Sequence, residues 1–209
     1  MPNFRGRALD ELKKHFPSES LADFDKNYQH RMQKTTGAFV PTIQIIRAIN
    51  IAREVDALEL LPCAFARLTL CDIETVFSST ASISLDRADL QRYTSGREKL
   101  RSMAEDHIFP FLFNSNIRVG NGCTQSTICV HWLKQVYEIV KNVLRTQTFL
   151  LGSAGVIAIE TFPSQLYPSC SMHFTGIIDA GRISVWDQLP GCFGLGNWQE
   201  LKQSSPGDN

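Results

Sequence analysis

Every strong apolar period in this chain is close to 3.6 residues, and that regularity restricts the fold more than any motif does. The clearest case is residues 124–145. There Ile128, Trp132, Val136, Ile139, Val140 and Val143 recur at three- and four-residue spacing, while Lys134, Glu138 and Lys141 fall on the other side. A helix so patterned buries one stripe and wets the other. Pro41 and Thr42 open another helix, in which Ile45, Ile46, Ile49 and Ala52 share a face. Leu60, Leu61, Ala64, Phe65 and Leu68 follow at once, with Pro62 in the first turn, where its missing N–H is harmless. The connection at 56–58 is so short that these two helices must lie side by side. Ile45, Ile49, Leu60, Leu61 and Phe65 are therefore expected in one buried cluster.

The remaining segments follow the same rule. Residues 7–15 form a short amphipathic helix with Leu9, Leu12 and Phe16 on one side, ended by Pro17. Residues 23–37, with Lys26, His30, Arg31 and Lys34, have no apolar period and read as an exposed loop. Across 85–113 a helix places Leu90, Tyr93, Leu100 and Met103 on one face, with Ser84 as its N-cap and Asp86 favouring its dipole. Residues 114–122 are a turn-rich loop. A further helix runs from near Phe162, with a break at Pro168, to Trp186 and Leu189. The chain then turns at Pro190 and Gly191 and returns Phe193, Leu195 and Trp198 to the core. Only 149–159 has β-branched alternation, and its glycines weaken it. The expected fold class is mainly α, an irregular multi-helix bundle with at most a minor hairpin. Its expected parts are helical segments over 1–113 and 114–201 and a disordered tail over 202–209.

With 209 residues, 43% of them hydrophobic, the chain is long enough to bury one or two cores. Its 21 basic and 21 acidic residues cancel, so no net field draws in nucleic acid or an anionic membrane. No run of 18 apolar residues occurs, and the first dozen residues carry Arg5, Arg7, Asp10 and Glu11 where a signal peptide needs an apolar centre. The expectation is a cytoplasmic or nuclear protein, outside the membrane, with reduced cysteines at 63, 71, 123, 129, 170 and 192.

Catalytic patterns are sparse. Cys170 with His173 and Cys129 with His131 are the only cysteine–histidine sequence neighbours, and no thiol-protease signature surrounds either. No Gly-x-Ser-x-Gly elbow exists. The glycine groups at 152–160 and 191–196 lack the lysine and hydroxyl of a phosphate loop. No catalytic residue is assigned, and the chain is expected not to be an enzyme.

Four blocks carry a resemblance: "LKKHFPSESLADFD" (12–25), "AINIAREVDALELLPCAFARL" (48–68), "SGREKL" (95–100) and "GRISVWDQLPGCFGLGNWQEL" (181–201). In this order they resemble the helical region that follows the BTB/POZ domain in fungal BTB proteins, and together they span most of the chain. The resemblance implies a BACK-like helical segment over 1–113 and a non-enzymatic protein-interaction or scaffold role. The implied partner is another protein, self-association included. It also implies that the chain begins about where the last helix of the BTB module would end.

The same resemblance sharpens one metal question. Cys123 and Cys129 bracket a five-residue gap at a helix start, and relatives often carry a second cysteine pair at the positions of Tyr167 and Cys170. Here tyrosine stands at the first of these, so the candidate zinc ligands are Cys123, Cys129, Cys170 and His173. The histidine lies one helical turn beyond Cys170. A structural zinc module of this Cys3His kind is the alternative function. The plainer reading is three buried thiols and a surface histidine, with no cofactor.

Overall fold

The computed structural model describes residues 4–34, 41–78, 83–113, 119–146, 151 and 165–204. Among these every regular element is helical and no strand occurs. The elements are α1 (Phe4–His15), α2 (Leu21–Lys34), α3 (Thr42–Glu54), a 3₁₀ turn (Leu58–Leu60), α4 (Leu61–Leu68) and α5 (Ile73–Phe77). They continue with α6 (Arg87–Met103), a π-helical turn (Ala104–Ile108), α7 (Pro110–Phe113), α8 (Ser126–Thr146), α9 (Pro168–Asp187), α10 (Leu189–Cys192) and α11 (Trp198–Ser204). The mainly α expectation holds. Of residues 149–159, the one stretch with β-branched alternation, only Leu151 is among the described residues, in helical conformation.

The chain divides into two compact units, Met1–Arg97 with Asp187–Asn209, and Glu98–Trp186. The division therefore falls inside α6 and at the end of α9, not at 113/114. In the first unit α3 packs on α4. Ile45, Ile49, Leu60, Leu61 and Phe65 are all buried, as the short connection between their helices requires. That connection is a Schellman motif: Asp56 takes φ 56°, Ala57 N–H donates to the Ala52 carbonyl at 2.9 Å, and Asp56 N–H to that of Arg53 at 3.3 Å. Aspartate tolerates the left-handed turn because its short polar side chain costs little there.

The C-terminal segment is built into this unit. α10 packs on α4, α11 packs on the 3₁₀ turn, and Phe193 stacks on Phe65 with centroids 5.3 Å apart. Gly96 leaves the space that the Phe193 ring fills, since a Cβ there would collide with it. The tail expected over 202–209 is thus helical as far as Ser204, with Leu201 buried; residues 205–209 lie outside the described residues.

Two further expectations are corrected in this unit. Residues 23–34 are helical, not a loop. Ser20 caps α2 by accepting from the Asp23 N–H at 3.1 Å while donating to the Asp23 carboxylate at 2.7 Å, and buried Phe24 anchors the helix. Asn27 then donates to the Lys14 carbonyl and accepts from buried Arg67 at 2.6 Å. The side chains of His30, Arg31 and Lys34 lie outside the described residues. At α6 the cap is Asp86, whose carboxylate accepts from the Asp89 N–H at 2.6 Å. The Ser84 carbonyl instead accepts from Asn50. Asp89, on the buried face, holds Arg53 through two contacts at 2.6 and 3.2 Å and Arg92 at 3.0 Å.

In the second unit the expected continuous helix over 85–113 loosens at Ala104–Ile108. Pro110 has no N–H to donate to the preceding turn, and the Phe109 N–H reaches back five residues to Ala104 at 2.9 Å. α9 closes its backbone on this turn at Gly181, where a Cβ would collide with the His107 carbonyl. Along α8 the buried stripe is Cys129, Leu133, Val136, Val140 and Leu144. Ile128 and Ile139, expected inside, are about half exposed. The helix is turned by about one position from the expectation so that Cys129 faces inward.

A candidate metal centre of three thiols

The segment before α8 is a tight turn. Cys123 N–H donates to the Gly120 carbonyl at 3.2 Å, and Gly122, at φ 78°, supplies the left-handed residue such a turn needs. This brings Cys123 back over the first turn of α8. Cys129 lies in that turn, its N–H bonded to the Gln125 carbonyl at 3.1 Å, and its Sγ stands 3.7 Å from the Cys123 Sγ. The third thiol comes from α9. Pro168 begins that helix, and the Tyr167 carbonyl accepts from the amides of Cys170 and Ser171 at 2.8 and 3.0 Å. Of the helix expected from Phe162, residues 162–164 lie outside the described residues. Gln165 is helical, the chain breaks at Leu166 and Tyr167 beside the expected Pro168, and α9 starts at Pro168, which sets Cys170 in its first turn. The Sγ atoms of Cys123, Cys129 and Cys170 all lie within 4.8 Å of one another.

A backbone amide meets one of the buried sulfurs: Tyr167 N–H donates to Cys129 Sγ at 3.4 Å. Gly120 is buried against α9 so closely that a Cβ would lie 3.0 Å from the Ser169 carbonyl and 3.3 Å from Cys170 Cα. A hydrogen bond such as that from Tyr167 favours the charged form of its acceptor, which suits a thiolate. The protons of the metal-free site are unevenly held. Desolvation pushes the Cys170 thiol up to about 12, with its hydrogen bond to Cys123 adding to the effect. Desolvation also raises Cys123, but hydrogen bonds from Cys170, the Gln125 amide and Cys129 outweigh it, and its thiol sits below the ordinary range.

Of the four residues expected to bind metal, the structure brings together the three cysteines. His173 stands outside: its side chain is exposed and its ring lies edge-on against Phe174, centroids 5.1 Å apart. Tyr167, at the position where the resemblance expects a cysteine, contributes its amide to Cys129. Neither cysteine–histidine pair forms a nucleophile and base, since the His131 ring nitrogen pairs with Gln135 at 3.1 Å and His173 faces Phe174. Gly120, Gly122 and the amide of Gln125 were not singled out in the sequence. The glycines on either side of Asn121, just before Cys123, are the signal that marks the turn.

The residues fit a thiophilic ion such as zinc, which is bound tetrahedrally by thiolates at about 2.3 Å. No helix among the described residues is long and apolar enough to cross a membrane. No protein-family model, no curated protein and no solved structure matches the chain.

Proposed function

We propose that this chain is a non-catalytic helical protein-interaction domain, of the kind that follows the BTB fold in fungal proteins, and that a structural zinc ion fastens its second unit. The observation that carries the reading is the convergence of Cys123, Cys129 and Cys170 within 4.8 Å, with the Cys129 sulfur met by the Tyr167 amide. The ion would join the turn before α8 to the first turn of α9, two segments 38 or more residues apart in sequence. The fourth position falls to His173, one turn beyond Cys170, once its ring leaves Phe174. Bound there, zinc supplies cross-linking and no activated water, since all four positions are taken by side chains.

The interaction half of the reading rests on apolar residues left in solvent in the first unit. Ile43 and Ile51 on α3 and Ile73 and Phe77 on α5 are exposed, Phe77 by 52%, and α3 packs beside α5. The partner class these favour is an apolar protein surface, a second copy of this chain included.

Cobalt substitution tests the metal half. Cobalt(II) added to the metal-free protein is expected to give the intense visible bands of a tetrahedral thiolate site. Those bands should vanish in Cys170→Ser and weaken or shift in His173→Ala. A cobalt spectrum with no thiolate charge transfer removes the reading. For the interaction half, sedimentation of the wild type and of Phe77→Asp decides whether the α3–α5 face joins two copies.

A further inference from the structure

Cys123 and Cys129 differ in a way that a purely structural clamp does not need. Cys123 is half-buried at the rim, on a turn hinged by Gly122, while Cys129 is fully buried beneath it with the sulfurs already 3.7 Å apart. A disulfide needs them at about 2.05 Å. The approach required is under two ångströms, and the turn before α8 is the element free to supply it. A Cβ at Gly122 would meet nothing within 4 Å, so that turn is open around its hinge. Cys170 is fixed by contrast, on a regular helix against buried Gly120.

We propose that Cys123 and Cys129 are a peroxide-responsive thiol pair whose closure to a disulfide dismantles the metal site; this rests on the zinc reading above for its consequence but not for its chemistry. The accessible Cys123 thiolate attacks the distal oxygen of a hydroperoxide. The O–O bond breaks, the alcohol or water leaves with a proton, and Cys123 becomes a sulfenic acid. The Cys129 thiol then attacks that sulfur, forming the S–S bond and releasing water. In sum, two thiols and one hydroperoxide give one disulfide, one alcohol (or water) and one water. Oxidation takes two of the three thiolates from the cluster, and Cys170 with His173 alone cannot retain the ion. Thiol reductants reverse the step by exchange. The geometry thus assigns Cys123 as the attacking sulfur and Cys129 as the resolving one.

The experiment treats the full-length, zinc-loaded chain with hydrogen peroxide near stoichiometry. It follows zinc release with a chromogenic chelator, free thiols by titration and the linked peptides by mass spectrometry. The expected result is loss of two thiols and one zinc together, a Cys123–Cys129 cross-link, and recovery with dithiothreitol and zinc. In a background of Cys63→Ser, Cys71→Ser and Cys192→Ser the same loss should persist. In Cys129→Ser a sulfenic acid at Cys123 should become trappable by dimedone. Zinc retained with no such link, or Cys123 carried straight to sulfinic acid, overturns the proposal and leaves the metal reading intact. A chain that never binds zinc but still forms the link supports the thiol pair and removes the metal reading.

Discussion

Replacing Phe193 tests whether the C-terminal segment belongs to the core of the first unit. The ring is 1% exposed, stacks on Phe65 at 5.3 Å, and occupies the space that Gly96 leaves open. Phe193→Ala removes the transfer free energy of a whole ring and leaves a cavity that α4 and α6, both regular helices, close only in part. The expected cost is about 3 to 5 kcal/mol. The aromatic pair supplies about 0.5 to 1.5 kcal/mol of that. Gly96→Ala has two opposed effects. Alanine in a helix interior gains about 1 kcal/mol over glycine, but the new Cβ strikes the Phe193 ring, and overpacking costs about 1 to 3 kcal/mol. In the wild type the collision should win. In Phe193→Ala the same methyl enters the vacated space, so the second substitution becomes neutral or stabilising. Urea unfolding followed by circular dichroism on the four proteins gives the cycle. A coupling of about 1 to 3 kcal/mol is expected, the double variant being more stable than the sum. Strict additivity, or a Phe193→Ala cost below about 1 kcal/mol, would show that α10 and its neighbours lie loosely on the surface.

Other substitutions probe separate elements. Asp89→Ala strands the guanidinium groups of Arg53 and Arg92, each about one-third exposed, and should lower stability by about 2 to 4 kcal/mol in urea titrations; a neutral result would mean the pairs contribute nothing net. Gly181→Ala should destabilise by about 1 to 3 kcal/mol despite better helix propensity, because the His107 carbonyl in its way is backbone; a raised melting temperature would refute the close approach. Burial pushes the Cys63 thiol from 9.0 up to about 12. Its folded form therefore binds the proton more tightly than the unfolded form, a contribution fully present below pH 9 and lost as pH rises towards 12. The stability gap between wild type and Cys63→Ala should narrow above pH 9, and a gap that widens there would contradict the burial.

What the sequence disclosed follows the strength of its periodic signals. α3 and α4 were legible to the residue because Ile45, Ile46, Ile49, Leu61 and Phe65 leave only one face to bury. α2 was not, since Phe24 is a single anchor in a polar helix and one residue has no period; only the Ser20–Asp23 capping pair marked it. In α8 two apolar stripes run side by side, one through Ile128, Trp132 and Ile139 and one through Cys129, Leu133 and Leu144, and both satisfy the helical period. The inward face was decided by partners 38 or more residues away, Tyr167 and Cys170, which no local window contains. The π turn at Ala104–Ile108 arises from Pro110 and was hidden within an otherwise regular pattern. For the candidate site, the three cysteines were visible as residue types. The Tyr167 amide that meets the Cys129 sulfur was not, because a backbone donor has no signature in sequence.

The central claim is that three thiols placed by two distant segments hold one structural ion. The measurement that meets it most directly is the zinc content of full-length protein purified without chelator or metal-affinity resin, by inductively coupled plasma mass spectrometry, beside its melting temperature before and after chelation. One zinc per chain, a lowered melting temperature on chelation, and loss of both zinc and the effect in Cys170→Ser are predicted. Protein that is free of zinc, folds with the same helical content and melts unchanged in chelator would contradict the account.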